Sequence, residues 1–288
     1  MKIPLLPQAL EIGLQLNQGD RDDSVLHATD LAHTLPGEGC PRQLWLKLRG
    51  ADKRELTAGQ LLMFFHGNRI HEDVAKLLKA GLPAEWEITN TEHSMELDGI
   101  VGTCDAMMIN RTTGDGLVVD FKTLRGKAFG FLNAEGKPKP AHALQVQTYI
   151  YLLAKSLVFC ADGGMVLYVD REGQNASVQF FVKHDDNAVK EAIEAAKAIR
   201  DGGEPPILDA RLDISKNKGP DSVRLKMPWQ CDYCGYRDIS CPAALPYDYR
   251  NLGIVAKVDG DTLICADNVP AEVAGIVEGL LELQVMPF

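Results

Sequence analysis

Residues 117–130 read LVVDFKTLRGKAFG, and their first half decides the fold. Leu117, Val118 and Val119 open the kind of apolar run that a buried strand needs, yet Asp120 and Lys122 follow where apolar residues would be expected. Side chains alternate faces along a strand, so Asp120 and Lys122 point one way and Phe121 the other. An acid and a base therefore share one patch at the end of a core strand. A D-x-K triplet alone is no more than a salt bridge at a strand end, so its neighbours in the chain carry the argument.

Toward the N-terminus, residues 56–81 open with a capping box, Thr57 followed by Gln60, and close on Gly81 after an apolar stripe at helical spacing. This pattern predicts a helix. Strand-like runs follow at 84–90, 94–99, 100–110 and, after the turn RTTGDG, 117–123, read most simply as an antiparallel meander. Toward the C-terminus, the Gly/Pro/Lys-rich connection AEGKPKPA precedes a helix at 142–157, strands at 163–170 and 177–184, and a helix at 186–202. A polar, Pro-containing stretch then leads to a cysteine cluster. The order is helix, several strands, helix, strand, an α/β arrangement without internal repeats or low-complexity tracts.

With 288 residues, 45% hydrophobic and 24% charged, the chain has an ordinary globular composition and can make one large domain or two small ones. It contains no run of eighteen apolar residues and its first twenty lack a signal-peptide pattern, so no membrane association and a cytoplasmic, reducing setting are expected. In that setting seven cysteines argue for metal binding or catalysis over disulfides, and three of them, Cys231, Cys234 and Cys241, lie in PWQCDYCGYRDISCP. The net charge of −10 is concentrated at the ends: residues 1–30 hold five acids against two bases, and 251–288 six acids against one base. Between residues 116 and 160 the sign reverses, with six bases against two acids, so the chain's overall charge does not exclude a local nucleic-acid groove.

Asp105, in the strand before the RTTGDG turn, can be brought to the same sheet end as Asp120 by antiparallel pairing. Two carboxylates suit a hard divalent cation such as Mg²⁺, and the Phe121 carbonyl is a further oxygen ligand. In the first helix His71 follows Gly67 by four residues, so both lie on one face; Gly67 would let the helix approach the sheet closely. HEDVA lacks the second histidine of a zinc-protease H-E-x-x-H. In the second helix Gln145 and Tyr149 share a face, as do Gln147 and Tyr151.

Taken together, G-x-x-x-H at Gly67–His71, G-x-x-D at Gly102–Asp105, D-x-K at Asp120–Lys122 and Q-x-x-x-Y at Gln145–Tyr149 resemble, in order and in predicted element, the RecB-like nucleases of the PD-(D/E)XK superfamily. The cysteines extend the resemblance. Cys40 in CPRQLWLKLRG ahead of the core, with Cys231, Cys234 and Cys241 behind it, is similar to the iron–sulfur nucleases, among them the CRISPR-associated adaptation exonucleases and the AddB nuclease domain. Four thiolates suit a [4Fe–4S] cluster or a structural Zn²⁺, and spacing alone does not separate the two.

The resemblance implies a restriction-endonuclease-like core, α-βββ-α-β, in residues 1–250, with a cysteine-ligated clasp joining its N- and C-terminal segments; 251–288 form an acidic extension. It implies a metal-dependent DNA exonuclease acting on single-stranded ends, 5′ to 3′ favoured, in repair, recombination, phage DNA processing or CRISPR adaptation, with a helicase or adaptation protein as partner. His71, Asp105, Asp120 and the Phe121 carbonyl would hold Mg²⁺ or Mn²⁺, Lys122 would position water or neutralise developing charge, and Gln145 and Tyr149 would orient the phosphate. A DNA-end-binding or assembly subunit with the same fold is the alternative. The basic connection from Arg125 to Lys139, with Phe129 and Phe131 among its charges, would guide a single strand. Cys104, Cys160 and Cys265 read as small core residues.

Overall fold

The computed structural model describes residues 6–17, 22–156, 159–173, 177–206, 211–214, 223–226, 229–237, 239–241, 256–259, 262–265 and isolated positions after 268. The acidic segment 251–288 thus lies largely outside the described residues. The chain divides into two compact units: residues 1–48 with 56–202, and 49–55 with 203–288.

In the first unit, α1 (Leu6–Leu16), a 3-10 helix (Ala28–Thr34) and α2 (Pro41–Lys47) precede the long α3 (Ala58–Gly81). The expected capping box is present, with Thr57 accepting from the Gln60 amide and the Gln60 side chain accepting from the Thr57 amide. Strands β1 (Leu26–His27), β2 (Trp86–Leu97), β3 (Ile100–Asn110), β4 (Gly116–Leu124), β5 (Gly163–Asp170) and β6 (Ser177–Lys183) form one sheet in the order β1-β3-β4-β5-β6, with β2 also paired to β3. Helices α4 (Gly126–Glu135) and α5 (Pro140–Lys155) make the crossover to β5, and α6 (Asp186–Asp201) follows β6. The β2–β3–β4 meander is antiparallel, while β4 and β5 run parallel, which is why helices must separate them.

Two expectations change. The runs at 84–90 and 94–99 are parts of one strand, β2, which passes an irregularity between Ile88 and Asn90 and a left-handed Glu92 (φ 50°) without ending. The connection after β4 contains a true helix, α4, in which Phe129 is buried and only Phe131 (63% exposed) faces solvent.

The sheet is covered on both faces. Val119 and Phe121 pack with Val74, Ala75 and Leu78 of α3 on one side; Val118, Val166 and Tyr168 pack with Val146, Ile150 and Leu153 of α5 on the other. This division confirms the alternation read from the sequence: Phe121 belongs to the α3 side, and Val118, Asp120 and Lys122 to the other. Helix α5 sits so close to β5 that a Cβ on Gly164 would come within 2.2 Å of Val146 Cγ1, so only glycine fits there.

The second unit contains a four-stranded antiparallel sheet in the order β10-β9-β8-β7, from β7 (Arg211–Ile214), β8 (Val223–Lys226), β9 (Ala256–Asp259) and β10 (Thr262–Cys265). A 3-10 turn (Trp229–Asp232) opens its cysteine segment.

Candidate active site

A gap in the sheet builds the site. Along one edge β3 is paired with β2 along most of its length, Asp105 excepted. Along the other it pairs with β4 only over Ala106–Ile109 and with β1 only at Ile100 and Val101. Residues 102–105, the G-x-x-D motif, therefore line an opening between β4 and β1. Asp105 partly closes it: its Oδ2 accepts the Phe121 amide, replacing the ladder bond that the parting strands lose. In an extended strand the N–H and C=O of one residue point to the same edge, so the Phe121 carbonyl faces this opening too.

His71 reaches Asp105 from α3, Nδ1 lying 3.1 Å from Oδ1, with its ring edge-on to Phe121. Burial opposes a charge on His71, but the hydrogen bond and the charge of Asp105 outweigh it and raise its pKa above the ordinary value. Gly67 does not act as expected: a Cβ there would meet nothing within 4 Å, and Gly67 instead borders an open pocket of about 600 Å³ with Arg69, Thr123, Arg125 and Arg171.

Asp120 is the most deeply buried acid of the site, 2% exposed. Lys122 Nζ donates to its Oδ1 at 3.1 Å and stands 2.9 Å from Oδ2, outside hydrogen-bonding geometry for the latter. Asp120 Oδ2 is left buried without a hydrogen bond. Burial pushes the Asp120 pKa up to about 6 against the pull of Lys122, and Asp105 adds to the rise. An orphaned carboxylate oxygen in a gap lined by a second carboxylate and a carbonyl fits a divalent cation. Among the described residues no three side chains of His, Cys, Asp or Glu form a ready-made metal cage, so the fit rests on Asp120, Asp105 and main-chain oxygen.

From the α5 face, Gln145 donates to the Tyr149 hydroxyl, and both are buried. The Tyr149 ring lies on β3 where Gly102 has no side chain; a Cβ there would be 2.9 Å from Tyr149 Cε1. That contact explains the glycine of G-x-x-D: it admits the tyrosine of Q-x-x-x-Y. Burial first, then the Asp120 charge, raises the Tyr149 pKa well above the ordinary value, so its hydroxyl stays protonated.

Glu92 belongs to no motif in the sequence. Burial, and then the charge of Asp105, raises its carboxyl pKa, and His71 and Glu72 are also within electrostatic reach. A positive φ on a glutamate is a feature that no periodicity encodes.

In the second unit, burial raises the Cys234 pKa, while the amides of Tyr236 and Arg237, hydrogen-bonded to it, oppose the rise. Cys241 is close enough for its charge to be felt at Cys234. The Gly235 carbonyl accepts from Arg54 N at 2.8 Å, and Ser240 Oγ donates to the Asp52 carbonyl at 2.6 Å. Cys40 lies in the first unit as the N-cap of α2 and donates its amide to His33 Nδ1 at 3.0 Å. Of the cysteines expected in the core, Cys104 is buried, Cys265 half-buried and Cys160 exposed, the last a departure from expectation. Cys160 sits in the loop before β5, outside the α5–sheet interface.

The sheet thus carries a D…D-x-K cluster in an interstrand gap, with one helix bearing histidine on one side and another bearing Q-x-x-x-Y on the other. Residues 16–242 match the PD-(D/E)XK nuclease superfamily, and the chain belongs to that superfamily. No curated protein matches it significantly. Among solved structures it is similar to SSO0001 (19% identity, TM-score 0.48, covering 84% of this chain and 98% of that one). It is also similar to an alkaline exonuclease from Laribacter hongkongensis (13%, TM-score 0.45, 62% and 87%) and to a phage-related exonuclease from Haemophilus somnus 129PT (15%, TM-score 0.39, 65% and 95%).

Proposed function

We propose that the chain is a metal-dependent DNA exonuclease that works from single-stranded ends. The observation that carries this is the orphaned Asp120 Oδ2, buried beside Asp105 and Lys122 in a gap between strands. Its contact with the Lys122 ammonium at 2.9 Å lies outside hydrogen-bonding geometry, so this buried oxygen keeps its lone pairs for a cation. Asp120, Asp105, the Phe121 carbonyl and His71 would hold Mg²⁺ or Mn²⁺, which when bound lowers the pKa of water and polarises phosphate. Lys122, already beside Asp120, would neutralise charge developing on the phosphate, and Gln145 with Tyr149 would orient it.

The same reading keeps Cys40, Cys231, Cys234 and Cys241 as ligands of a [4Fe–4S] cluster, with Zn²⁺ as the other occupant, within a nuclease domain ending near residue 250. It rests on the cysteines of the sequence, Cys40 ahead of the nuclease core and Cys231, Cys234 and Cys241 behind it. A cytoplasmic setting, and a helicase or CRISPR adaptation partner, complete the proposal; no helix among the described residues is long and apolar enough to cross a membrane.

End-labelled single- and double-stranded DNA incubated with Mn²⁺ tests it. Stepwise release of nucleotides from single-stranded ends, lost in Asp120→Asn and Lys122→Ala, is the expected result. Tight DNA binding with no release would make the chain an end-binding subunit instead.

A further inference from the structure

His142 is not among the motif residues, yet its surroundings are more constrained than a helix–sheet brace requires. It lies in the first turn of α5, on the stripe that continues through Gln145 and Tyr149 at spacings of three and seven. Its Nδ1 is 2.8 Å from the Tyr168 hydroxyl, with ring centroids 5.5 Å apart. Tyr168 pairs with Lys122 in the parallel β4–β5 register, so the two side chains stand on the same face of the sheet. His142 therefore lies over the face that presents Lys122 and Asp120.

The hydrogen bonds suit one tautomer. The Tyr168 hydroxyl accepts the backbone N–H of Lys139 at 3.1 Å. A backbone N–H can only donate, which leaves the hydroxyl's own hydrogen free for His142 Nδ1, 2.8 Å away. Nδ1 is then an acceptor, and the ring hydrogen sits on Nε2. Burial, followed by the charges of Lys122 and Lys139, pushes the His142 pKa down to about 3, so the ring is neutral wherever the protein works. Nε2–H has no hydrogen-bond partner among the described residues, and it is not sealed from solvent.

We infer that His142 contacts the substrate: held in its Nε2–H form by Tyr168, it donates an uncharged hydrogen bond to a phosphate oxygen beside Lys122. The inference rests on the nuclease reading and adds to it a fourth kind of phosphate contact, besides metal, ammonium and the Gln145–Tyr149 pair. A donor oriented in advance needs no rearrangement as charge builds on the phosphate. Lys122 and Lys139 already supply positive charge there, and a third cation beside them would be repelled. A neutral donor avoids that repulsion. Tyr168 is the positioning residue, acting only through His142.

The test is cleavage of a labelled single-stranded oligonucleotide in Mn²⁺, scored per folded molecule, for His142→Phe, His142→Gln and Tyr168→Phe. Binding is measured in parallel in Ca²⁺ across a salt series. His142→Phe should lower kcat by about 100-fold with little change in thermal stability. His142→Gln, which keeps a neutral N–H, should recover about tenfold of that loss, and Tyr168→Phe should lower kcat by about three- to tenfold. Because the contact is uncharged, the slope of log affinity against log salt should match the wild type in all three. His142→Phe cleaving within about threefold of wild type, or Gln performing no better than Phe, would overturn the inference. If neither His142 variant folds, an unchanged kcat in Tyr168→Phe overturns it and the expected fall upholds it. A wild-type protein that cleaves nothing would instead defeat the nuclease reading, so the two failures are distinguishable.

Discussion

Asp120 ionises against its surroundings, and that has a cost in the metal-free protein. Its carboxyl titrates near 3.8 when solvated and near 6 in the fold. Between those values the folded chain holds a proton that the unfolded chain has released, so stability falls as pH rises through the window; above it the full cost, on the order of 3 kcal/mol, is present. Asp120→Asn should remove this decline and be more stable than the wild type near neutral pH in chelator, while losing cleavage. Urea unfolding at a series of pH values checks it; parallel curves for the two proteins would show that Asp120 is not the source. A divalent cation would offset the same cost, so thermal stabilisation by Mn²⁺ should be small at about pH 4 and grow through about pH 6. Single-residue chemistry was largely legible here, because Asp105, Asp120, Lys122 and His71 are odd where they stand: charges at strand ends and on a helix face. His142 and Glu92 were not, since their significance comes from a neighbour on β5 in one case and from a left-handed backbone in the other.

Among the elements, α3, α5, β5 and α6 could be read almost to their ends because period and caps agree along them. Helix α4 could not. Gly126 and Gly130 weaken its helical signal, and its lysine-rich flank looks like a solvated connection. Its two phenylalanines consequently have different roles. Phe129→Ala should destabilise the fold by about 3 kcal/mol through lost packing, whereas Phe131→Ala should leave stability unchanged and weaken single-strand binding if α4 guides DNA. Chemical denaturation and fluorescence titration separate the two effects; equal destabilisation by both would mean that α4 packs differently. The single long β2 was divided in the sequence reading because polar residues interrupt it. Pairing with β3 on one edge overrides that local weakness.

For the molecule as a whole, the sheet and its two helical layers followed from element order, while the small second sheet did not, since its strands are four residues each and lack a long periodic signature. If the cysteines ligate a cluster as proposed, the loop it closes runs from Cys40 to the cysteines of the second unit and spans nearly the whole core. Closing so long a loop restricts the unfolded chain and links metal binding to folding. Cys234→Ser should then lower thermal stability and soluble yield, while the protein that does fold should cleave at the wild-type rate, since hydrolysis transfers no electrons. Activity normalised to the folded fraction by circular dichroism measures this; a stable but inactive serine variant would assign the cluster a direct role on DNA.

The Asp105 carboxylate in place of a β-ladder carbonyl makes one amide proton unlike its neighbours. The β3 ladder of β4 ends at Val119, and beyond it the Phe121 hydrogen is held by a side chain that also faces the proposed cation. Its chemical shift and its rate of exchange with deuterium should therefore follow the state of that carboxylate. In an isotope-labelled sample, this single resonance would act as a built-in gauge of whether the gap is filled, readable without turnover and without any nucleic acid present.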